Sequence, residues 1–309
     1  MSRVLDGIDA FLDGLASVDV RPMLLAILVH VGRLLCTSMA WRNVLKAAYP
    51  QERVPRLNIF GAYLAGVGIN AIIPVRAGDA VRVVLAHRAI RNSTYTTVIS
   101  STFVLNLFDM TAASLLLVWA ATTQDAFPDV GRLPDLPSFE FAWLLENPLV
   151  FELVLASLIV GLAALGYWLQ DHVVNFWGRL RQPFNVFRPP SRYLRGVAAW
   201  QAGDWALRLV TIWYLLDAFD IPQTVGNVLL VQVSVSVATL VPLTPAGIGT
   251  EQAFLLYVFK GAVASSKLLA FSVGMKLTIV ATNVVMGFTS IFLTLRTVRY
   301  SKLAKGSKT

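Results

Sequence analysis

Asn70-Ala-Ile-Ile-Pro-Val-Arg-Ala-Gly-Asp-Ala-Val-Arg82 is the stretch on which the reading of this chain turns. It sets a proline, a glycine and three charges in an otherwise apolar region. Pro74 has no N–H to donate and Gly78 tolerates open backbone, so a continuous helix is not expected through this point. Arg76, Asp79 and Arg82 would each cost about 2.5–3.5 kcal/mol at mid-bilayer on an insertion scale. Together they read as a helix broken around a polar site. A second stretch, Val241-Pro-Leu-Thr-Pro-Ala-Gly-Ile-Gly-Thr-Glu251, repeats the device, with Pro242, Pro245, Gly247 and Gly249 ahead of Glu251.

The bilayer is implied by composition. Of 309 residues, 56% are hydrophobic and 14% charged, against about 25% charged in soluble domains. Several apolar runs reach the ~18–20 residues that a ~30 Å hydrocarbon core requires. The net charge of +8 does not point to nucleic acid, because the basic residues cluster in short segments beside apolar runs, as cytoplasmic loops do. Cys36 is the only cysteine, which excludes an internal disulfide and a cysteine redox pair. His30, His87 and His172 lack metal-ligand spacing, and neither a metal nor a cofactor is expected. Residues 1–19 carry Asp6, Asp9 and Asp13 where a signal peptide would be basic. Val4, Leu5, Ile8, Phe11, Leu12 and Leu15 share a helical face instead, predicting an amphipathic interfacial segment.

The order of segments gives an all-α polytopic membrane protein. Helix 21–41 precedes Arg42, Lys46, Arg53 and Arg56, which places its end in the cytoplasm and the N-terminus outside. Within 58–91 the returning arm has a short apolar part, roughly 10 Å of helix between residues 80 and 86. This segment therefore reads as a re-entrant hairpin. Residues 94–121 cross outward and an acidic connection follows. Residues 148–170 cross back to the basic stretch of Arg179, Arg181, Arg188, Arg192 and Arg195. Helix 198–216, a hairpin over 225–263 and helix 268–295 come next, and 297–309 form a basic cytoplasmic tail. Repeat 1 (21–121) and repeat 2 (198–295) thus share the order helix, re-entrant hairpin, helix. One linking helix, 148–170, inverts the second against the first within a transmembrane domain of 20–296. Broken segments at matching positions of inverted halves point to a transporter's binding site.

Arg76 and Arg82 are the candidates for holding phosphate, since arginine stays charged and offers bidentate donors. The bland alternative pairs Arg82 with Asp79 or Glu251. Asp79 and Glu251 follow the breaks, where a carboxylate can cap the returning arm; recognition of a cationic headgroup and proton coupling are the alternatives. Asn70 is placed to satisfy backbone groups freed by the first break. Asp204 and Arg208 are spaced for an ion pair within one helix. Asp109 and Lys276, inside the third helices of the two repeats, are expected to face each other as a charge pair or gate. Trp41 and other tryptophans near helix ends read as interface anchors.

The two broken stretches resemble the lysylphosphatidylglycerol synthase transmembrane-region family, flippase-like domains found alone or fused to an aminoacyl-transferring domain. The elements of resemblance are Pro74, Gly78, Asp79 and Arg82, then Pro245, Gly247, Gly249 and Glu251. The family also tends to carry an arginine three residues before an aspartate in the following helix. This chain has Asn106 before Asp109, and Ala246 where a glycine is frequent. The resemblance implies a non-enzymatic lipid translocase of a prokaryotic cytoplasmic membrane, without a synthase domain after residue 296. Its cargo would be a phospholipid, an aminoacylated or hopanoid-type lipid, or a polyprenyl-linked sugar. A second copy of the chain and a partner synthase are further candidate partners. A membrane-embedded transferase acting on a lipid-linked substrate and a small-solute or ion transporter are the competing readings.

Overall fold

The computed structural model describes residues 17–73, 77–123, 178–188, 190–240, 250–259 and 263–306. Every regular element among them is helical. They are α1 (Val20–Ala48), α2 (Arg56–Ile72), α3 (Ala77–Ala89), α4 (Tyr95–Thr123), α5 (Ala199–Ala218), α6 (Val225–Leu240), α7 (Thr250–Val258) and α8 (Ser265–Gly306). A 3-10 helix (Gln182–Phe187), one α-turn (Pro190–Tyr193) and a π-turn (Leu194–Ala198) lead into α5. The expected linking helix 148–170 and residues 1–16 of the amphipathic segment lie outside the described residues.

Among the described residues, three helices are long and apolar enough to cross a membrane: Val20–Ala48, Tyr95–Ala120 and Ser265–Leu293. Leu24, Leu28, Met110, Leu115 and Phe292 on them are exposed, as side chains facing hydrocarbon would be. By contrast α3 has 13 residues and α7 has 9. At 1.5 Å per residue these rise roughly 20 and 14 Å, short of a ~30 Å core.

Two boundaries differ from expectation for the same reason. The first helix continues past residue 41 to Ala48, and α8 continues through the expected tail to Gly306. Basic residues favour the C-terminal part of a helix because their charge opposes the macrodipole. The second returning arm is shorter than expected, with α7 closing at Val258 rather than 263.

Helix directions follow from which residues meet. Asp19 N–H donates to the Ala218 carbonyl at 2.9 Å, and Asn43 Nδ2 to the Gly196 carbonyl at 2.7 Å. So α1 and α5 are antiparallel. Gln201 meets the Leu105 carbonyl and Trp205 meets Asp109, which makes α4 parallel to α5. Thr278 meets Met23 and Asn283 meets His30, so α8 runs with α1. One buried cluster gathers Trp41, Leu45, Ile59, Ala86 and Val98 from α1 to α4. Another gathers Leu215, Leu216, Leu255 and Phe271 from α5 to α8, with Ala26 of α1.

The basic segments collect at one end. Glu52 accepts from Asn92 at 2.9 Å, and Thr97 Oγ1 donates to the Arg179 carbonyl at 3.1 Å. Residues 42–56, 87–97 and 179–196 therefore share a face. At the opposite end Asp220, at φ 51°, accepts from Lys267 at 2.7 Å. That bond, with the lysine's charge, holds the Asp220 carboxyl below its usual range.

Two glycine contacts set how closely the short helices pack. A methyl on Gly78 would run into the Gly66 carbonyl, and one on Gly66 would lie 2.7 Å from the Gly78 oxygen. Between α2 and α8, a Cβ on Gly68 would lie 2.7 Å from Gly287 Cα. Backbones this close exclude side chains, as at small-residue crossings of membrane helices. Gly68→Val should therefore destabilise the protein by about 1–3 kcal/mol, read as a lower thermal midpoint in detergent. Gly226→Ala, with its nearest neighbour 3.8 Å away, should leave the midpoint unchanged or raised.

Candidate functional site

The first break is closed by its own asparagine. α2 stops at Ile72 and α3 begins at Ala77, leaving the first N–H groups of α3 without intrahelical acceptors. Asn70 Oδ1 accepts from Gly78 N–H at 2.8 Å, while its Nδ2 donates to Asp79 Oδ1 at 2.9 Å. Asp79 sits in the first turn of α3, the favoured end for a carboxylate. It contacts Arg82 Nη2 at 3.4 Å. The Arg82 guanidinium also lies over the Trp41 ring, 5.7 Å from its centroid. Its Nε is buried and has no hydrogen-bond partner among the described residues.

Trp41 is not an interface anchor. It is 1% exposed, and its Nε1 donates to Ser101 Oγ at 2.8 Å. Its sequence position suggests a helix end, but α1 runs on to Ala48 and leaves this ring inside the bundle.

A second cluster ties α1, α4 and α5 together at mid-length. Asp204 Oδ1 accepts from Arg33 Nε at 2.9 Å and Thr37 Oγ1 at 2.8 Å, and Oδ2 accepts from Arg208 Nη2 at 2.9 Å. Its side chain is 2% exposed. Asp109 Oδ1 accepts from Trp205 Nε1 at 2.9 Å and lies 3.9 Å from Arg208. The Arg208 guanidinium rests 4.7 Å from the Trp205 ring centroid. Two arginines and two carboxylates make the cluster electrically neutral, with the Asp204 pairs short and buried and the Asp109 pair long and half-exposed.

Arg33 is absent from the residues that the sequence singles out by motif, although a lone arginine inside an apolar run of spanning length is itself a signal. The expected pairing of Asp109 with Lys276 is replaced by two others. Asp109 turns to Trp205 and Arg208, while Lys276 Nζ reaches Glu251 Oε2 at 3.2 Å. The reason is proximity: α8 packs along α2 and α7, whereas α4 runs beside α5. The Glu251 side chain is 7% exposed, and its Oε1 has no hydrogen-bond partner among the described residues.

Of the residues expected at the site, the structure thus brings Asn70, Gly78, Asp79 and Arg82 together in one place. Asp109, Asp204 and Arg208 meet in a second, and Glu251 and Lys276 in a third. Pro74, Arg76, Pro242, Pro245, Gly247 and Gly249 lie outside the described residues. No group of three or more His, Cys, Asp or Glu side chains fit to hold a metal occurs among the described residues.

These features define a multi-pass helical membrane protein with ion pairs built into its apolar interior. Residues 4–287 match the family described as the lysylphosphatidylglycerol synthase TM region, and the chain belongs to that family. The family places the protein in a lipid-related membrane context. Comparison with curated proteins and with solved structures finds no match.

The two ion-pair clusters make separable predictions. Asp204→Asn strands two largely buried arginines and should destabilise by about 3–5 kcal/mol. Asp109→Asn keeps the Trp205 bond and removes a long, half-exposed pair, so its effect should stay within about 1 kcal/mol. Thermal unfolding of the two variants in one detergent checks the difference. In the other cluster, Glu251→Gln and Lys276→Met should each destabilise, while the double variant should lose less than the sum. Additive losses would show that the two side chains are not coupled.

Proposed function

We propose that the protein is a lipid translocase rather than an enzyme. In this reading α2–α3 and α6–α7 are re-entrant pairs entering the bilayer from opposite faces. They frame a midplane cavity that takes a polar headgroup while the acyl chains stay in lipid. The observation that carries the reading is Arg82: a largely buried arginine whose Nε lacks an acceptor among the described residues and whose described carboxylate contact is long. An intramembrane arginine with a donor to spare is suited to a phosphate that visits and leaves. Arg76 immediately precedes Ala77, the first residue of α3, and would share this role from the break itself.

Helix directions support the inverted arrangement. α1 and α5, the first helices of the two expected repeats, are antiparallel, and α4 and α8, the third helices, run with α5 and α1 respectively. The shortness of α3 and α7 fits arms that turn back within the bilayer. Glu251 would offer the second arm's open acceptor to an amine, or serve as its cap. The shared basic face would lie in the cytoplasm of a prokaryotic inner membrane, by the bias of Lys and Arg toward that side. The N-terminus would then be outside and the C-terminus inside. Lys267, a basic residue at the opposite end, is bound to Asp220 and carries little weight against this orientation. The sequence shows no ATP-binding motif, so direction would come from an ion gradient, the membrane potential or consumption of the lipid.

Proteoliposomes with headgroup-labelled lipids test the reading. Protein-dependent translocation should fall about ten- to a hundredfold in Arg82→Ala, the loss expected of a charge-assisted contact, and in Arg76→Ala. Equal movement in wild type and both variants would place the pathway elsewhere. Movement of no lipid class would favour a transferase or a solute transporter.

A further inference from the structure

We propose that the cavity at the basic end of α1 is a second binding site, for a phosphate-bearing anion, distinct from the hairpin cavity. It encloses about 400 Å³, and its walls include Asn43, Lys46, Pro50, Val186, Arg192 and Gly196. Two cations face it, and no carboxylate lines it among the described residues. The nearby acid is turned elsewhere, since Glu52 Oε1 accepts from Asn92 at 2.9 Å.

The walls are held in place independently of any ligand. Lys46 Nζ donates to the Pro50 carbonyl at 2.9 Å and the Glu52 carbonyl at 2.8 Å. An ammonium has three N–H donors, so one remains for an anion. Asn43 is fixed from both ends, accepting from Arg42 at 3.1 Å and donating to Gly196 at 2.7 Å. The Gly196 carbonyl belongs to the π-turn Leu194–Ala198, an interruption that often marks functional positions in helices. Arg192 is exposed on the preceding turn, whose Tyr193 packs against Phe187 with ring centroids 4.5 Å apart. Arg179, Arg181, Arg188 and Arg195 of the same stretch add positive potential. Cationic pockets between helices at a membrane's basic face suit anionic headgroups, and a soluble phosphate ester offers the same chemistry.

The test uses the full chain in nanodiscs of phosphatidylcholine, with phosphatidylglycerol as the membrane probe and glycerol 3-phosphate as the soluble one. Native mass spectrometry reads retained lipid, and the thermal midpoint reads the soluble ligand. Arg192→Glu should weaken binding of the effective probe about tenfold. Arg188→Glu, also exposed in the same stretch but outside the cavity, should change it less than about twofold. A response to phosphatidylglycerol alone identifies a lipid headgroup as the ligand, and a response to glycerol 3-phosphate identifies a soluble one. Equal losses in the two variants would reduce the site to diffuse attraction and overturn the proposal, as would binding of neither probe by wild type. An unchanged ligand-free midpoint in Arg192→Glu separates lost binding from misfolding. Arg82→Ala should retain the response, so failure here and failure of the translocase reading are distinguishable.

Discussion

Asp204 takes hydrogen bonds from Arg33 and Thr37 of α1 and from Arg208 of its own helix, and the polar link between α1 and α5 depends on it. Without those partners an ion at this depth would carry a desolvation penalty of several kcal/mol. With them it joins the first helix to the fifth, and through Arg208 and Trp205 the fifth to the fourth. A lipid-facing helix gains little by exchanging lipid contacts for leucine contacts. Polar pairing and close packing must therefore set which helices meet. The Gly66–Gly78 and Gly68–Gly287 contacts supply the close packing, and Asp204 supplies the pairing.

The same constraint explains how the chain accommodates its departure from the family pattern. Position 106 is Asn rather than the arginine frequently found three residues before the aspartate. Asn106 is exposed, and Asp109 finds its cation in Arg208 on α5. The cation beside Asp109 thus comes from across a helix interface instead of from the same helix. The contact therefore joins α4 to α5 rather than two turns of α4, and at 3.9 Å it is a long one.

Much of this is legible in the sequence because the bilayer leaves few options. Apolar length marks α1, α4 and α8. But α5, read from the sequence as a crossing over 198–216, is not among the three described helices long and apolar enough to span, since Asp204 and Arg208 interrupt it. α2 and α3 flank the first expected break. The Asp204–Arg208 contact follows from spacing along one helix. Partners on different helices do not follow, since sequence separation does not fix which faces meet. Asp109 and Lys276 correspond in depth, yet their neighbours in the bundle give them other partners. Trp41 is legible only as an aromatic near a helix end, because position along a helix cannot distinguish a lipid-facing ring from a buried one. Arg33 is different in kind: its depth in an apolar run calls for a buried acid even before any partner is known.

The polar groups left incomplete are as informative as those that are satisfied. Buried polar atoms ordinarily find partners, and each exception needs a physical account. Asp204 has its partners, which suits a residue that fixes the frame. Arg82 Nε and Glu251 Oε1 are buried without partners among the described residues, one a donor and the other an acceptor. Arg82 lies on α3 and Glu251 in the first turn of α7, while Arg208 Nε in the Asp204 cluster is likewise buried without a partner among the described residues. In the translocase reading, Asp204 with its two arginines holds α1 to α5, while Arg82 and Glu251 keep a donor and an acceptor open for cargo. There, contact with a headgroup would complete Arg82 Nε and Glu251 Oε1 only while the lipid is inside, whereas the Asp204 ion pairs are complete without cargo.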